Sequence, residues 1–148
     1  MTQAVPIGTA ALRCGIKVPT IRYYEDIGLL PAPARTASNR RLYGAADLRR
    51  LAFIRHAREL GFEVEQIRTL LALQDEPQTS CAAADAVASA RLAEVDARIA
   101  GLNALKAELE RMIEGCRHGR VAECRVIEVL ADHRRCLSDE HKLQPADR

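Results

Sequence analysis

A heptad stripe constrains this chain more than any other feature. From Leu92 the large apolar residues fall at Val95, Ile99, Leu102, Leu109 and Ile113, and only Lys106, beside Leu105, interrupts the seam. Such a stripe needs a partner helix. The punctuation agrees: Pro77 blocks a helix arriving from upstream, Ser80 is an N-cap residue, and Gly115 is a C′ residue that stops the run. Cys81 falls just inside the start, and Cys116 and Cys124 just past the end. At ~1.5 Å of rise per residue, Cys81 and Cys116 lie roughly 50 Å apart within one chain and cannot share a site there. Antiparallel pairing of two copies would bring Cys81 of one chain beside Cys116 and Cys124 of the other.

The start of the chain is basic. In the first 58 residues Arg13, Lys17, Arg22, Arg35, Arg40, Arg41, Arg49, Arg50, Arg55 and Arg58 are set against only Glu25, Asp26 and Asp47, although the net charge of all 148 residues is +2. Such a module is suited to phosphates. Residues 7–14 and 19–26 read as two short helices joined at Gly15, with Pro19 in the first turn of the second, a helix-turn-helix candidate. On the second helix Thr20, Arg22, Tyr23 and Tyr24 are expected to face outward, toward base edges and phosphate oxygens. Residues 32–43 suit a short hairpin, or wing, with Ser38 and Asn39 in its turn and Arg40, Arg41 and Tyr43 on its tip and return strand. Residues 44–60 form an amphipathic pattern ended by Gly61, and residues 63–73 add a short helix burying Val64, Ile67, Leu70 and Leu71. Arg49 and Arg50 read as part of a solvated face.

Aromatic residues make up 3% of the chain and Trp is absent, which favours a mainly α fold. Five cysteines, an odd number, argue against a disulfide framework and toward metal ligation or thiol chemistry. Nothing at the N-terminus reads as a signal peptide and no apolar run approaches a membrane span, so the expectation is a cytoplasmic protein without a membrane partner. No nucleophile-base pairing, phosphate loop or carboxylate pair stands out, so no enzyme is expected.

Ile21-Arg22-Tyr23-Tyr24-Glu25, Ile27-Gly28-Leu29-Leu30-Pro31, Arg35 with Asn39-Arg40-Arg41-Leu42-Tyr43, Leu51 with Phe53-Ile54, and Leu60-Gly61-Phe62 together resemble the MerR family of bacterial transcriptional regulators. The resemblance covers residues from about 7 to 124. It implies a winged helix-turn-helix DNA-binding domain over 1–76, a long antiparallel coiled-coil dimerisation helix over 80–115, and a C-terminal metal-binding loop and short helix over 116–131; the polar residues 132–148 read as a flexible tail. It also implies a homodimer on double-stranded promoter DNA, engaging RNA polymerase indirectly by distorting the DNA between promoter elements. Arg22, Tyr24, Arg35, Arg41 and Tyr43 match positions that touch DNA in the family; Thr20, Tyr23, Asn39 and Arg40 join them from their places in the same motifs. Lys17 departs from the pattern, since members usually place a capping Ser or Thr there, and a phosphate contact is the role left to it. Gly44 and Glu63 likewise replace commoner Ser or Thr caps.

Three thiols at a dimer interface suit a soft or borderline cation, with His118 and Cys136 as additional candidate donors. Three thiolates around a divalent ion leave one net negative charge, which Arg117 and Arg120 could offset. By resemblance, Cys at position 81 marks divalent sensors, whereas the pair Cys116 and Cys124 is common to divalent and monovalent ones. The expected effector is therefore a divalent ion, cadmium or lead ahead of zinc or mercury; zinc sensors tend to carry a further Cys beside the first loop cysteine, where this chain has Gly115 and Arg117. The alternatives are a monovalent copper, silver or gold sensor using Cys116 and Cys124 alone, and a regulator whose thiols oxidise. Cys14 reads as a small buried apolar residue, His56 as a surface residue, and His133 and His141 as part of a polar tail.

Overall fold

The computed structural model describes residues 3–116 and 119–136. They fall into two compact units, Met1–Ala88 and Ser89–Arg148. The first holds β1 (Val5–Pro6), α1 (Ile7–Cys14), α2 (Val18–Asp26), β2 (Ala34–Arg35), β3 (Arg41–Tyr43), α3 (Ala45–Glu59) and α4 (Val64–Gln74). A long helix, α5 (Ala82–Glu114), begins in the first unit and runs into the second. A 3-10 turn (Val121–Glu123), α6 (Arg125–Ala131) and another 3-10 turn (His133–Arg135) follow it.

Gly15 separates α1 from α2 for two reasons. Its φ of 64° is left-handed, letting its N–H reach the Ala11 carbonyl, and a Cβ there would strike the Arg55 guanidinium. The chain then enters α2 with Pro19 in the first turn, where no N–H is needed. α3 buries Leu51 and Ile54 and α4 buries Ile67 and Leu71, three and four residues apart as one helix face requires. Together with Ile21, Leu29, Leu30 and Tyr43 they form a core in which none of these side chains is more than 1% exposed. Each contributes about 1.5–3 kcal/mol by leaving water.

The expected wing is present, and it carries one strand more than a hairpin. The sheet order is β1-β3-β2, antiparallel throughout, with Val5 opposite Tyr43 and Ala34 opposite Leu42. β1 has only two residues, one of them Pro6, so no alternation announces it; at an edge the missing proline N–H is tolerated. Asn39 makes the turn with φ 65°, and the Arg35 guanidinium donates to its carbonyl at 3.1 Å. Gly44 and Glu63 cannot act as Ser or Thr caps do. Their own N–H groups are instead taken by Asp47 at 2.9 Å and Gln66 at 2.8 Å, three residues on, which is half of a capping box.

α5 begins one residue later than expected, after Cys81 rather than before it. Ser80 Oγ accepts the Ala82 N–H at 3.2 Å, and the Cys81 carbonyl accepts from Asp85 at 2.9 Å. At the other end the Gly115 N–H reaches the Arg111 carbonyl at 3.1 Å, but Gly115 does not take the left-handed conformation expected of a C′ glycine. What it supplies is room: a Cβ would lie 2.8 Å from Cγ and 3.2 Å from Cβ of Arg125. Along α5 the predicted stripe stands open, with Leu92, Ile99, Leu102, Leu109 and Ile113 all between 48% and 68% exposed. Glu108 and Met112, off that stripe, are buried, and Arg111 donates to Glu108 at 2.9 Å.

Candidate DNA-binding surface and metal centre

Lys17, Arg22, Arg35, Asn39 and Arg40 are exposed, Tyr23 is half exposed and Thr20 is half-buried. The guanidinium groups of Arg22 and Arg40 have no partner among the described residues. Two expected members of the outward set lie inside instead. Tyr24 stands three residues from Ile21 and therefore shares its inner face of α2, at 7% exposure. Burial, more than the neighbouring Arg58 and Tyr23 charges, sets its phenol, which is pushed up. Tyr43 is fully buried and donates its hydroxyl to Glu25; burial and then that bond hold its phenol far above the usual value. Arg41 is half-buried and donates from Nε to the same carboxylate at 2.9 Å.

Several arginines give hydrogen bonds to main-chain carbonyls, which the sequence did not reveal. Arg50, expected in solvent, donates to the Leu29 carbonyl at 2.7 Å and pairs with Asp75 at 3.1 Å. Arg55 donates to Cys14 at 2.9 Å, Arg68 to Ile27 at 2.7 Å and Arg58 to Phe62 at 2.9 Å, each a main-chain carbonyl. Helix ends and turns leave such carbonyls without intrahelical donors, and a guanidinium satisfies them. The available signal was position: Arg50 adjoins Leu51, Arg55 adjoins Ile54 and Arg68 adjoins Ile67, all core residues. Near the start of α2 a concavity of about 400 Å³ is lined by Lys17, Thr20, Tyr24, Arg55 and Arg58, among others.

Cys116 and Cys124 are brought together. Both are half-buried and line one cavity of about 240 Å³, with Gly115, Gly119, Arg120, Val121 and Glu123. Cys116 follows α5 after Gly115, and Cys124 precedes α6, its carbonyl accepting from Glu128 at 3.0 Å. Cys81 is exposed, and Cys136 is half-buried after the last 3-10 turn and does not line the cavity. Cys14 is buried with its thiol directed at the Leu48 carbonyl at 3.7 Å, and burial pushes that thiol up. His118, Arg117 and His141 lie outside the described residues. Among the described residues, no three His, Cys, Asp or Glu side chains converge within one chain. Two soft donors beside Arg120 fit a thiophilic cation.

A helix-turn-helix with a three-stranded wing and unpartnered cationic side chains defines the class: a winged helix-turn-helix DNA-binding protein. The chain belongs to the MerR family, for the family model described as MerR HTH family regulatory protein matches residues 5–74 and that described as MerR, DNA binding matches residues 48–112. The family consists of transcription regulators, not enzymes. The HTH-type transcriptional regulator HmrR of Rhizobium leguminosarum bv. viciae is 39% identical over 126 residues, spanning 85% of this chain and 97% of that protein. Heavy metal-dependent transcription regulator 1 of Rhizobium meliloti is 41% identical over 118 residues, or 80% of each chain. Among solved structures, the transcription regulator PbrR691 from Ralstonia metallidurans CH34 in complex with lead(II) superposes with a TM-score of 0.72 at 36% identity, over 85% of this chain and 98% of that one. Among the described residues no helix is long and apolar enough to cross a membrane.

Proposed function

We propose that the chain is a homodimeric regulator that senses a divalent soft metal ion, cadmium or lead ahead of zinc or mercury, and acts on double-stranded promoter DNA. The observation that carries this reading is the pair Cys116 and Cys124 on one cavity, to which a divalent-ion site would add a third thiolate. Cys81 is the exposed thiol that a second copy would offer, because it precedes the same 33-residue helix that Cys116 follows. Antiparallel pairing along the open stripe of α5 would complete the set, with His118 and Cys136 as further candidate donors. A relative described as heavy metal-dependent and a similar structure holding lead(II) support a metal effector.

On the DNA side, Lys17, Thr20, Arg22, Tyr23, Arg35, Asn39 and Arg40 make the contacts, while Tyr24 and Tyr43 support them from beneath. Coordination would favour one arrangement of the paired DNA-binding domains over another, since equal affinity for both would shift nothing. The favoured arrangement acts through DNA shape, letting RNA polymerase engage separated promoter elements.

The test is an anaerobic titration of the reduced protein with cadmium, lead, zinc and copper(I), read by thiolate charge-transfer absorption, beside Cys81→Ser. Tight divalent uptake at one ion per chain that collapses in the variant is the expected result. Tight copper(I) binding that ignores the variant replaces it with a monovalent sensor held by Cys116 and Cys124 alone.

A further inference from the structure

Glu25, in the last turn of α2, is where the recognition helix meets the wing. Its side chain is only 9% exposed, and it accepts from two β3 residues: Arg41 through Nε at 2.9 Å, and Tyr43 through its hydroxyl. Tyr43 is fully buried, so β3 cannot slide along α2 without breaking a bond that water has no route to replace. Arg41 is neutralised by a carboxylate in direct contact, while its neighbour Arg40 has an exposed guanidinium with no partner among the described residues. Two adjacent arginines thus stand in opposite electrostatic states. Glu25 takes only Nε of Arg41 and leaves its terminal N–H groups open, but the carboxylate offsets the charge, which makes Arg41 a weaker phosphate ligand than Arg40.

We propose that Glu25 is a positioning residue for DNA recognition: by gripping Arg41 and Tyr43 it fixes the spacing of α2 and the wing, and it keeps the charge of Arg41 off the DNA backbone. No thiol enters this inference, so it stands or falls separately from the metal reading.

The probes are duplexes selected from a random-sequence pool by the wild-type protein, and scrambled duplexes of the same composition, with binding followed by anisotropy across a salt series. Glu25→Gln keeps an acceptor for the Tyr43 hydroxyl and removes the charge facing Arg41. Scrambled DNA should then bind more tightly, with a log-log salt slope steeper by about 0.9 per copy, one phosphate contact. The preference for selected over scrambled DNA should fall about tenfold, because one of the two grips that hold the reading elements in register, the ion pair to Arg41, is lost. Adding Arg41→Gln to Glu25→Gln should return the slope to its wild-type value. An unchanged slope and an unchanged preference in Glu25→Gln would overturn the proposal. Arg41→Gln alone decides the matter if Glu25→Gln does not fold: preference should drop with no loss of slope, whereas a slope reduced by about 0.9 puts Arg41 on phosphate and overturns the proposal.

Discussion

In Met1–Ala88 the large apolar side chains close on one another, with Ile21, Leu51, Ile54 and Ile67 wholly out of water, whereas in Ser89–Arg148 Leu92, Ile99, Leu102, Leu109 and Ile113 stand at the surface. The first unit has the interior of a self-sufficient fold. The second has a helix whose apolar stripe gains nothing until something covers it. Ion pairs such as Arg91 with Glu94 at 2.8 Å and Lys106 with Glu110 at 3.7 Å do not replace that burial, since exposed pairs of this kind contribute about 0.3–0.5 kcal/mol each. Stability in one region is thus written into the chain itself, and in the other the apolar stripe adds to it only when covered.

The largest expected effect separates the two regions most sharply. Leu102→Glu removes about 1.5–3 kcal/mol of burial from each copy of a paired seam and adds a charge to it. The dimer dissociation constant should rise at least about 100-fold by sedimentation equilibrium, with the melting of the first unit unaltered. A variant that stays dimeric shows that the stripe is not the seam.

Next in size is a matched pair of truncations. Leu51→Ala should cost about 2–5 kcal/mol in urea unfolding, because it empties a position with no exposure. Leu109→Ala, measured where the chain is monomeric, should cost less than about 0.5 kcal/mol, as exposed positions do. Equal losses at the two leucines would break the contrast.

The smallest effect lies within the first unit. Asp47→Ala leaves the Gly44 N–H without its acceptor and should lower the stability of that unit by about 1 kcal/mol, read by the urea midpoint, with dimerisation unchanged.

What the sequence revealed follows from the length of each signal. α5 repeats its pattern from Leu92 to Ile113, and α3 and α4 each spend two full turns or more on one apolar face, so the existence of all three helices was legible, with Ile67 and Leu71 as inner residues of α4; the residues that α5 buries, Glu108 and Met112, lie off the predicted stripe. The pairing of Cys116 with Cys124 was legible for a different reason, a shared loop between two helix ends. β1 was not, because two residues carry no period. Tyr24 and Tyr43 misled because an amphipathic ring suits a surface or a core equally, and only the spacing of Tyr24 from Ile21 argued for the core. Arginine misled in the same way: Arg50, Arg55 and Arg68 count as basic surface in any composition, yet each reaches a main-chain carbonyl that only the folded chain brings near. The role of Glu25 was hidden entirely, since its partners lie 16 and 18 residues away.

The crowding at Gly115 constrains the order in which descendants of this protein can change. A further thiol at this position, beside Cys116, would have to occupy space already filled by Cβ and Cγ of Arg125, at 3.2 and 2.8 Å. Cβ is fixed to the backbone, and Cγ moves only with a change of the side chain's first rotamer. Arg125 is itself engaged with Glu128 at 3.2 Å. A lineage that gains a cysteine at 115 after position 125 has changed to a side chain without a Cγ is spared the 2.8 Å contact, and a population that meets the two mutations in the reverse order passes through a strained intermediate.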